Sequence, residues 1–361
     1  MNKNNLLSVC LIVKNEQEVI GRCLNCVSKF ADEIIVVDTG STDGTIGEAR
    51  KFTEDIYFFK WCDDFSAARN FAFEKATCEY VMWIDADDVV TDENCLKIEE
   101  LVQKKDFDMA FLLYVTAFNG GKPSFFYYRE RIMRRNMNYS FAGAVHEAVC
   151  PYGKIIYSDA EIHHKKIKEG EPLRNLTILQ KQISSGAELD ERSEFYYGRE
   201  LMFNGMYRES AAVLEHFLTR NGWIENKIEA CLNLYRAYAM LGESERAYNS
   251  VLRSFMFAPP RSEACCILGG KFFDEGDSLS AIYWYENALK CSSDAKNGGF
   301  YNSEYGGYVP NMQLCVLYDR LGEIDKAIEF NEAAGKIKPD SENYLSNKKY
   351  FREQFGKEEK L

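Results

Sequence analysis

The sequence predicts an α/β domain on a mainly parallel sheet, followed by an all-α helical solenoid. Three observations predict it. Apolar runs of strand length alternate with helix-spaced segments through the first half of the chain. Acidic clusters close successive runs, at the strand ends where open α/β sheets bind ligands. In the second half a short Gly-containing phrase recurs four times, with its glycines spaced by 37, 34 and 46 residues. The expected domains are 1–188 and 189–361.

Each element has its own warrant. Leu7 to Val13 is continuously apolar, as a strand covered on both faces must be. Glu16 to Phe30 follows with Val19, Ile20, Cys23, Leu24 and Val27 at helical spacing. The next strand, Glu33 to Val37, stops at Asp38-Thr-Gly-Ser-Thr-Asp-Gly-Thr45. Asp43 is expected there as a helix N-cap after a tight turn. A helix over Ile46 to Phe52, a strand over Ile56 to Phe59 and a helix over Phe65 to Ala76 come next. Tyr80 to Ile84 then reads as a buried strand running into Asp85-Ala86-Asp87-Asp88.

From Glu194 onward the pattern is helical and repeats. Asn204-Gly205 to Ala211, Leu241-Gly242 to Ala247, Glu275-Gly276 to Ala281 and Leu321-Gly322 to Ala327 share one layout. A unit of about 34 residues built as helix–turn–helix is the tetratricopeptide signature. Gly ends the first helix in a left-handed turn, and the small Ala lets the second helix pack close. The long third interval holds Asn297-Gly-Gly299 and Gly306-Gly307, read as an inserted loop.

Composition removes whole classes of function. Forty-four Lys and Arg against fifty-six Asp and Glu give a net charge of −12, against a general nucleic-acid binder. The apolar run Leu6 to Val13 is too short for a membrane span and has no cleavage site after it. The expectation is a cytoplasmic protein without a signal peptide or membrane span. Of twelve cysteines only Cys23 and Cys26 form a C-x-x-C pair, and no second pair completes a zinc tetrad. On a helix beside Leu24 and Val27 they read as small apolar residues.

The acidic strand ends carry the chemistry. In an extended segment alternate residues point alike, so Asp85 and Asp87 share a side and can share a hard divalent cation. Mg²⁺ or Mn²⁺ binds through one or two carboxylates and completes its shell with phosphate oxygens, which suggests a diphosphate ligand. Asp87 is the expected metal ligand. Glu16 and Asp38, after the first two strands, can accept hydrogen bonds from a base or ribose. Arg69 enters the same end on a helix and can pair with a phosphate or fix an acidic neighbour.

"SVCLIVKNE", "EIIVVDTGSTDGT", "FSAARNFAFEKA", "WIDADD" and "FAGAVHE" occur in that order. Together they resemble a family-2 inverting glycosyltransferase of the GT-A fold, over roughly residues 7 to 165. The branch it is similar to carries C-terminal tetratricopeptide-like repeats and includes the S-glycosyltransferases that modify cysteines in glycocin bacteriocins. The resemblance implies a UDP-sugar donor, with Glu16 and Asp38 at the nucleoside, Asp85 beside the ribose or sugar and Asp87 on the metal. It also implies a histidine as a further metal ligand on a later strand. His164 matches an I-x-H pattern, with His163 the fallback; Lys165-Lys166 stands where relatives often show an aromatic residue and a glycine.

In the implied reaction an acceptor nucleophile attacks the anomeric carbon opposite the nucleotide, and the nucleoside diphosphate leaves. Gly143-Ala-Val-His146-Glu147 supplies two candidates for the catalytic base. Many family members carry an acidic pair here. Glu147 is the expected base, with His146 orienting it or contacting the acceptor. Arg129, Arg131, Arg134 and Arg135 precede this segment, and most are expected to be solvated. Repeat solenoids present a concave groove that commonly receives a peptide, so a peptide or protein acceptor, through Cys or Ser, is expected. The same helices offer a surface for a homodimer. Two other readings stand beside this one: transfer to a saccharide or lipid-linked acceptor in envelope polysaccharide synthesis, and a repeat scaffold whose transferase domain has lost catalysis.

Overall fold

The computed structural model describes residues 5–119, 121–167, 171–291, 299 and 301–356. The chain divides into two compact units, Met1–Thr116 with Phe126–Gly205, and Ala117–Phe125 with Met206–Leu361.

The first unit is an α/β sandwich. Its elements run β1 (Leu7–Val13), α1 (Ile20–Val27), β2 (Glu33–Asp38), α2 (Thr45–Ala49), β3 (Ile56–Phe58), α3 (Phe65–Lys75), β4 (Tyr80–Trp83), β5 (Asp88–Val89) and α4 (Asp92–Lys104). They continue with β6 (Met109–Asn119), β7 (Lys122–Arg134), β8 (Phe141–Ala142), β9 (Ala148–Val149), β10 (Ile155–His164), α5 (Arg174–Ser184) and α6 (Glu191–Phe203). The main sheet has the order β3-β2-β1-β4-β7-β6-β10-β5, and β8 and β9 form a separate ribbon. β1 pairs in parallel with both β2 and β4, β2 with β3, and β6 with β10. Antiparallel pairing joins β4 to β7 and β5 to β10. The expected mainly parallel sheet is present.

The unbroken apolar run of β1 has a direct structural reason. Leu7, Val9, Leu11 and Val13 pack into one core with Val19, Ile20, Cys23, Leu24 and Val27 of α1 and Cys95, Ile98 and Val102 of α4. Cys10 packs on the opposite face, with Ala72 of α3, Val81, Trp83 and Phe141. Cys23 is therefore a core residue, as its place on the helix predicts, and all twelve cysteines are free.

Asp43 departs slightly from its expected role. The N-cap of α2 is Gly44, which makes no side-chain cap. Asp43 instead closes the preceding turn, its Oδ1 accepting from the Thr45 amide at 2.9 Å and the Thr45 hydroxyl at 2.5 Å. Helix α6 lies beyond the expected boundary at residue 188 yet packs within the first unit.

The second unit contains helix pairs, as the repeats predict: α7 (Tyr207–Thr219), α8 (Ile224–Met240) with α9 (Ser244–Arg253), α10 (Ser262–Asp274) with α11 (Ser278–Lys290), α12 (Tyr308–Arg320) with α13 (Ile324–Ile337), and α14 (Glu342–Phe355). Gly242, Gly276 and Gly322 have φ between +75° and +79° at the three turns. At Gly242 the amide donates to Ala239 O and that of Glu243 to Tyr238 O, closing the helix end. The alanines of the phrase, Ala247, Ala281 and Ala327, are at most 1% exposed. The Asn297–Gly298 part of the expected inserted loop lies outside the described residues. No helix among the described residues is long and apolar enough to cross a membrane.

Candidate active site at the carboxyl end of the sheet

The parallel registers put the ends of β1, β2 and β4 at one edge of the sheet. Two of the loops there are stitched together. Asn15, in the left-handed region at φ +58°, accepts from the Thr42 amide at 2.7 Å, and its own amide donates to Ser41 Oγ at 2.9 Å. The amide of Glu16 donates to Thr45 Oγ1 at 2.7 Å. Asp38 is buried, and its carboxylate accepts from the amides of Gly40 and Ser41 at 3.1–3.2 Å. Glu16 and Asp38 thus belong to the two stitched loops, and the Asp38 carboxylate is partly used to shape its own loop.

Helix α3 and the Phe141–Glu147 segment hold one another. Asn70 exchanges two hydrogen bonds with the backbone of Phe141, at 2.8 and 3.0 Å. Ser66 Oγ donates to Gly143 O at 2.6 Å, and the Phe65 amide donates to Ala144 O at 2.8 Å. The "FSAARN" and "FAGAVHE" stretches are two halves of one structure. Their contact aims Arg69 at two carboxylates: Nη2 donates to Asp85 Oδ1 at 2.8 Å and Nε to Glu147 Oε1 at 2.6 Å. Burial alone would lower the Arg69 pKa, but the charges of Asp85 and Glu147 outweigh it and raise it. Burial likewise pushes Asp85 up, yet Arg69 and Arg131 hold it down at about 2.

Four arginines lie on β7 or directly after it. Most of the four are expected in solvent, but Arg131 is wholly buried, its guanidinium carbon 3.7 Å from the centroid of the Trp83 ring. Arg69 and Arg129 approach the same ring at 4.3 and 4.9 Å. Arg134 bonds Glu79 at 2.8 Å and Arg135 the carbonyl of Cys78 at 2.7 Å. Arg135 is exposed and Arg129 and Arg134 are half-buried; Arg131 alone of the four is fully inside, with an acidic partner beside it. Arg131 Nη2 lies 3.4 Å from Asp88, which is also fully buried.

Asp87, Asp88 and His164 form the cluster that could hold a metal ion, their ligand atoms lying within 4.8 Å of one another. Antiparallel pairing sets His164 opposite Asp88. His164 Nδ1 is 3.3 Å from Asp88 Oδ1, 3.5 Å from Asp87 Oδ1 and 2.8 Å from the Tyr114 hydroxyl. The donor set, carboxylates with one imidazole, suits a divalent cation. Charge balance fits too. Burial raises the Asp87 pKa, with Asp85 and Asp88 adding repulsion against His164, the strain a cation would relieve. Burial would lower His164, but its hydrogen bond to Asp88 and the charges of the three carboxylates raise it. His163, the fallback, is bonded to Glu161 at 2.7 Å.

Sequence reasoning missed Asp88, Tyr114 and Arg131. The two residues of the Gly143–Glu147 segment part company. Glu147 is buried and turned to Arg69, whereas His146 turns to Glu200 of α6, with Nε2 to Oε1 at 2.7 Å.

Known proteins share this framework. Residues 8–158 match the family model for glycosyl transferase family 2. The SPbeta prophage-derived glycosyltransferase SunS of Bacillus subtilis is 31% identical over 206 residues, which cover 53% of this chain and 48% of that protein. A TPR repeat-containing protein of Synechococcus elongatus is 32% identical over 329 residues, 91% of this chain and 65% of that one. The chain thus spans about half the length of the first relative and under two thirds of the second. Among solved structures, S. aureus TarS 1-349 in complex with UDP-GlcNAc aligns over 91% of both chains at 13% identity and a TM-score of 0.39, too loose a likeness to carry more. Residues 8–158 of the α/β unit are thus similar to glycosyl transferase family 2, and helical repeats follow them in sequence.

Proposed function

We propose that the protein is a metal-dependent inverting glycosyltransferase, moving a hexose-type sugar from a UDP-sugar to a cysteine or serine side chain of a peptide. One observation carries the reading: Asp87 and His164 converge at the end of β4, beside the Arg69–Asp85 ion pair, on a family 2 domain. Asp87 and His164 would hold Mg²⁺ or Mn²⁺, with Asp88 fixing His164 from behind. When bound, such an ion supplies Lewis-acid stabilisation of charge on a diphosphate.

The chain's own residues do the rest. Glu16 and Asp38 bind the nucleoside at the stitched loops. Asp85, held ionised by Arg69, faces the ribose or the sugar. The acceptor's proton leaves through the Gly143–Glu147 segment, which offers the carboxylate of Glu147 and the imidazole of His146. A thiol acceptor ionises near pH 8.5 and needs less help than a hydroxyl. The resemblance to peptide S-glycosyltransferases and the repeat helices support a peptide acceptor.

Intact-mass measurement after incubation with Mn²⁺, a panel of UDP-sugars and peptides carrying single Cys or Ser residues tests the reading. A hexose-sized mass gain on a peptide is expected. UDP release without transfer to any peptide, but with transfer to a saccharide acceptor, would move the activity to envelope polysaccharide.

A further inference from the structure

The Gly143–Glu147 segment contains a side chain that its surroundings fix from several sides. His146 lies in the left-handed region at φ +52°, a conformation that a residue with a side chain keeps only when its neighbours enforce it. Its ring lies flat on Tyr196 of α6, with centroids 4.1 Å apart and planes 12° apart. Its carbonyl accepts from Nε and Nη2 of Arg192, both at 3.1 Å. Its Nε2 meets Glu200 Oε1 at 2.7 Å, and Asn175 Nδ2 of α5 reaches the same oxygen at 3.2 Å.

This arrangement assigns the tautomer. Burial pushes the Glu200 carboxyl up, but the hydrogen bonds of His146 and Asn175 and the charge of Arg199 hold it below its ordinary range. An ionised carboxylate only accepts, so Nε2 carries the hydrogen and Nδ1 the lone pair. Among the described residues Nδ1 has no hydrogen-bond partner, and 27% of the His146 side chain is exposed. Glu147 differs. Its side chain is 11% exposed and its Oε1 is committed to Arg69. Besides Glu200, the charged groups around the imidazole are Arg192 and Arg199 of α6 and Glu147 of its own segment.

We propose that His146 is the catalytic base of the transfer and Glu200 its positioning residue, the two forming a carboxylate–imidazole dyad. The inference rests on the transferase reading and adds the identity of the proton acceptor. Nδ1 takes the proton of the acceptor S–H or O–H while the freed electron pair bonds to the anomeric carbon. The bond from that carbon to the diphosphate oxygen breaks, and its electron pair leaves with UDP. The imidazolium returns its proton to solvent. Glu147 acts through Arg69, as a positioning residue for Asp85.

The test uses full-length wild type, His146→Gln and Glu200→Gln, with Mn²⁺, UDP-glucose or UDP-N-acetylglucosamine, and a synthetic peptide bearing one Cys and one Ser. UDP release is followed from about pH 5.5 to about 9, bracketing histidine titration. His146→Gln is expected to lower kcat about 100-fold with UDP affinity unchanged. Glu200→Gln is expected to lower kcat about tenfold and move the acidic limb of the profile to lower pH, because losing the carboxylate favours neutral imidazole. With only four histidines in the chain, ¹⁵N imidazole spectra of the wild type can be assigned and should show His146 as the Nε2–H tautomer. An Nδ1–H tautomer overturns the dyad, as does a folded His146→Gln enzyme within about threefold of wild type. If His146→Gln does not fold, the Glu200→Gln profile and the wild-type spectrum decide; an unmoved acidic limb counts against the dyad. A wild type that binds UDP but transfers sugar to neither peptide nor water removes the transferase reading and the dyad together, whereas an active His146→Gln removes the dyad alone.

Discussion

Asp88 and His164 face each other across the antiparallel β5–β10 pair, with Asp88 Oδ1 3.3 Å from His164 Nδ1 and the Asp88 side chain sealed from solvent. Asp88 also accepts from the Asp85 amide at 3.1 Å and the Tyr114 hydroxyl at 3.0 Å, and lies against Arg131. Asp87, one residue earlier, keeps 21% of its side chain in contact with solvent. Adjacent carboxylates therefore differ in surroundings, Asp88 sealed beside Arg131 and Asp87 partly open.

This division predicts opposite mutant behaviour. Asp88→Asn leaves Arg131 buried without its counter-charge and should cost about 3–5 kcal/mol of stability, measured by denaturant unfolding. Asp87→Asn removes a carboxylate that burial and like charges already disfavour, so metal-free stability should be unchanged or slightly higher, while Mn²⁺ binding is lost.

Arg69 neutralises two carboxylates at once. Arg69→Met should destabilise by about 3–5 kcal/mol, because Asp85 and Glu147 lose their shared cation. The pH consequence has a definite sign. Asp85 is depressed from an ordinary value of 3.8 to about 2, so its contribution is complete above 3.8 and lost as pH falls through about 2. In Arg69→Met that protection ends, and the midpoint of acid unfolding, followed by circular dichroism, should move to higher pH. An unmoved midpoint would count against the ion pair.

Trp83 is the surface on which three guanidinium groups rest. A cation over an aromatic face contributes about 0.5–1 kcal/mol when exposed and about 2 when desolvated. Trp83→Leu removes the aromatic face and should cost about 3–5 kcal/mol in all. Trp83→Phe keeps a face but loses the Nε1 hydrogen bond to Glu130 O, 2.5 Å in length, and should cost roughly half as much. Thermal unfolding of the two variants checks the ranking.

In the repeats, Gly335 of α13 lies against the ring of Tyr344. A Cβ there would sit 2.4–2.8 Å from ring atoms. Gly335→Ala should therefore destabilise the second unit by about 1–3 kcal/mol through overpacking, although alanine is the better helix former. An equally stable variant would mean that Tyr344 moves aside freely.

The sequence revealed the strands, their acidic ends and the repeat period, because apolar periodicity and glycine turns are local signals. Asp87 and His164 are legible in the sequence as candidates, and the structure brings the two together. Arg131 was not, because alternation along β7 tells which residues share a face but not that the face is closed. Nothing in the local sequence sets Asp88 apart from its acidic neighbours; it is buried against Arg131 and Tyr114, both far away in sequence. Glu200 was hidden for the same reason, being an ordinary helix residue until α6 brings it to His146. Pairings across long separations decide which charges are inside, and one chain's pattern does not encode them openly.

In the proposed reaction an ion at Asp87 binds the diphosphate of a sugar nucleotide. Calorimetric titration of UDP into wild type and Asp87→Asn, with and without Mn²⁺, tests this most directly. Wild type should bind UDP at least about tenfold more tightly with Mn²⁺ than without, a difference of about 1.4 kcal/mol, and Asp87→Asn should lose that dependence while remaining folded. Equal Mn²⁺ enhancement in the two proteins would contradict it.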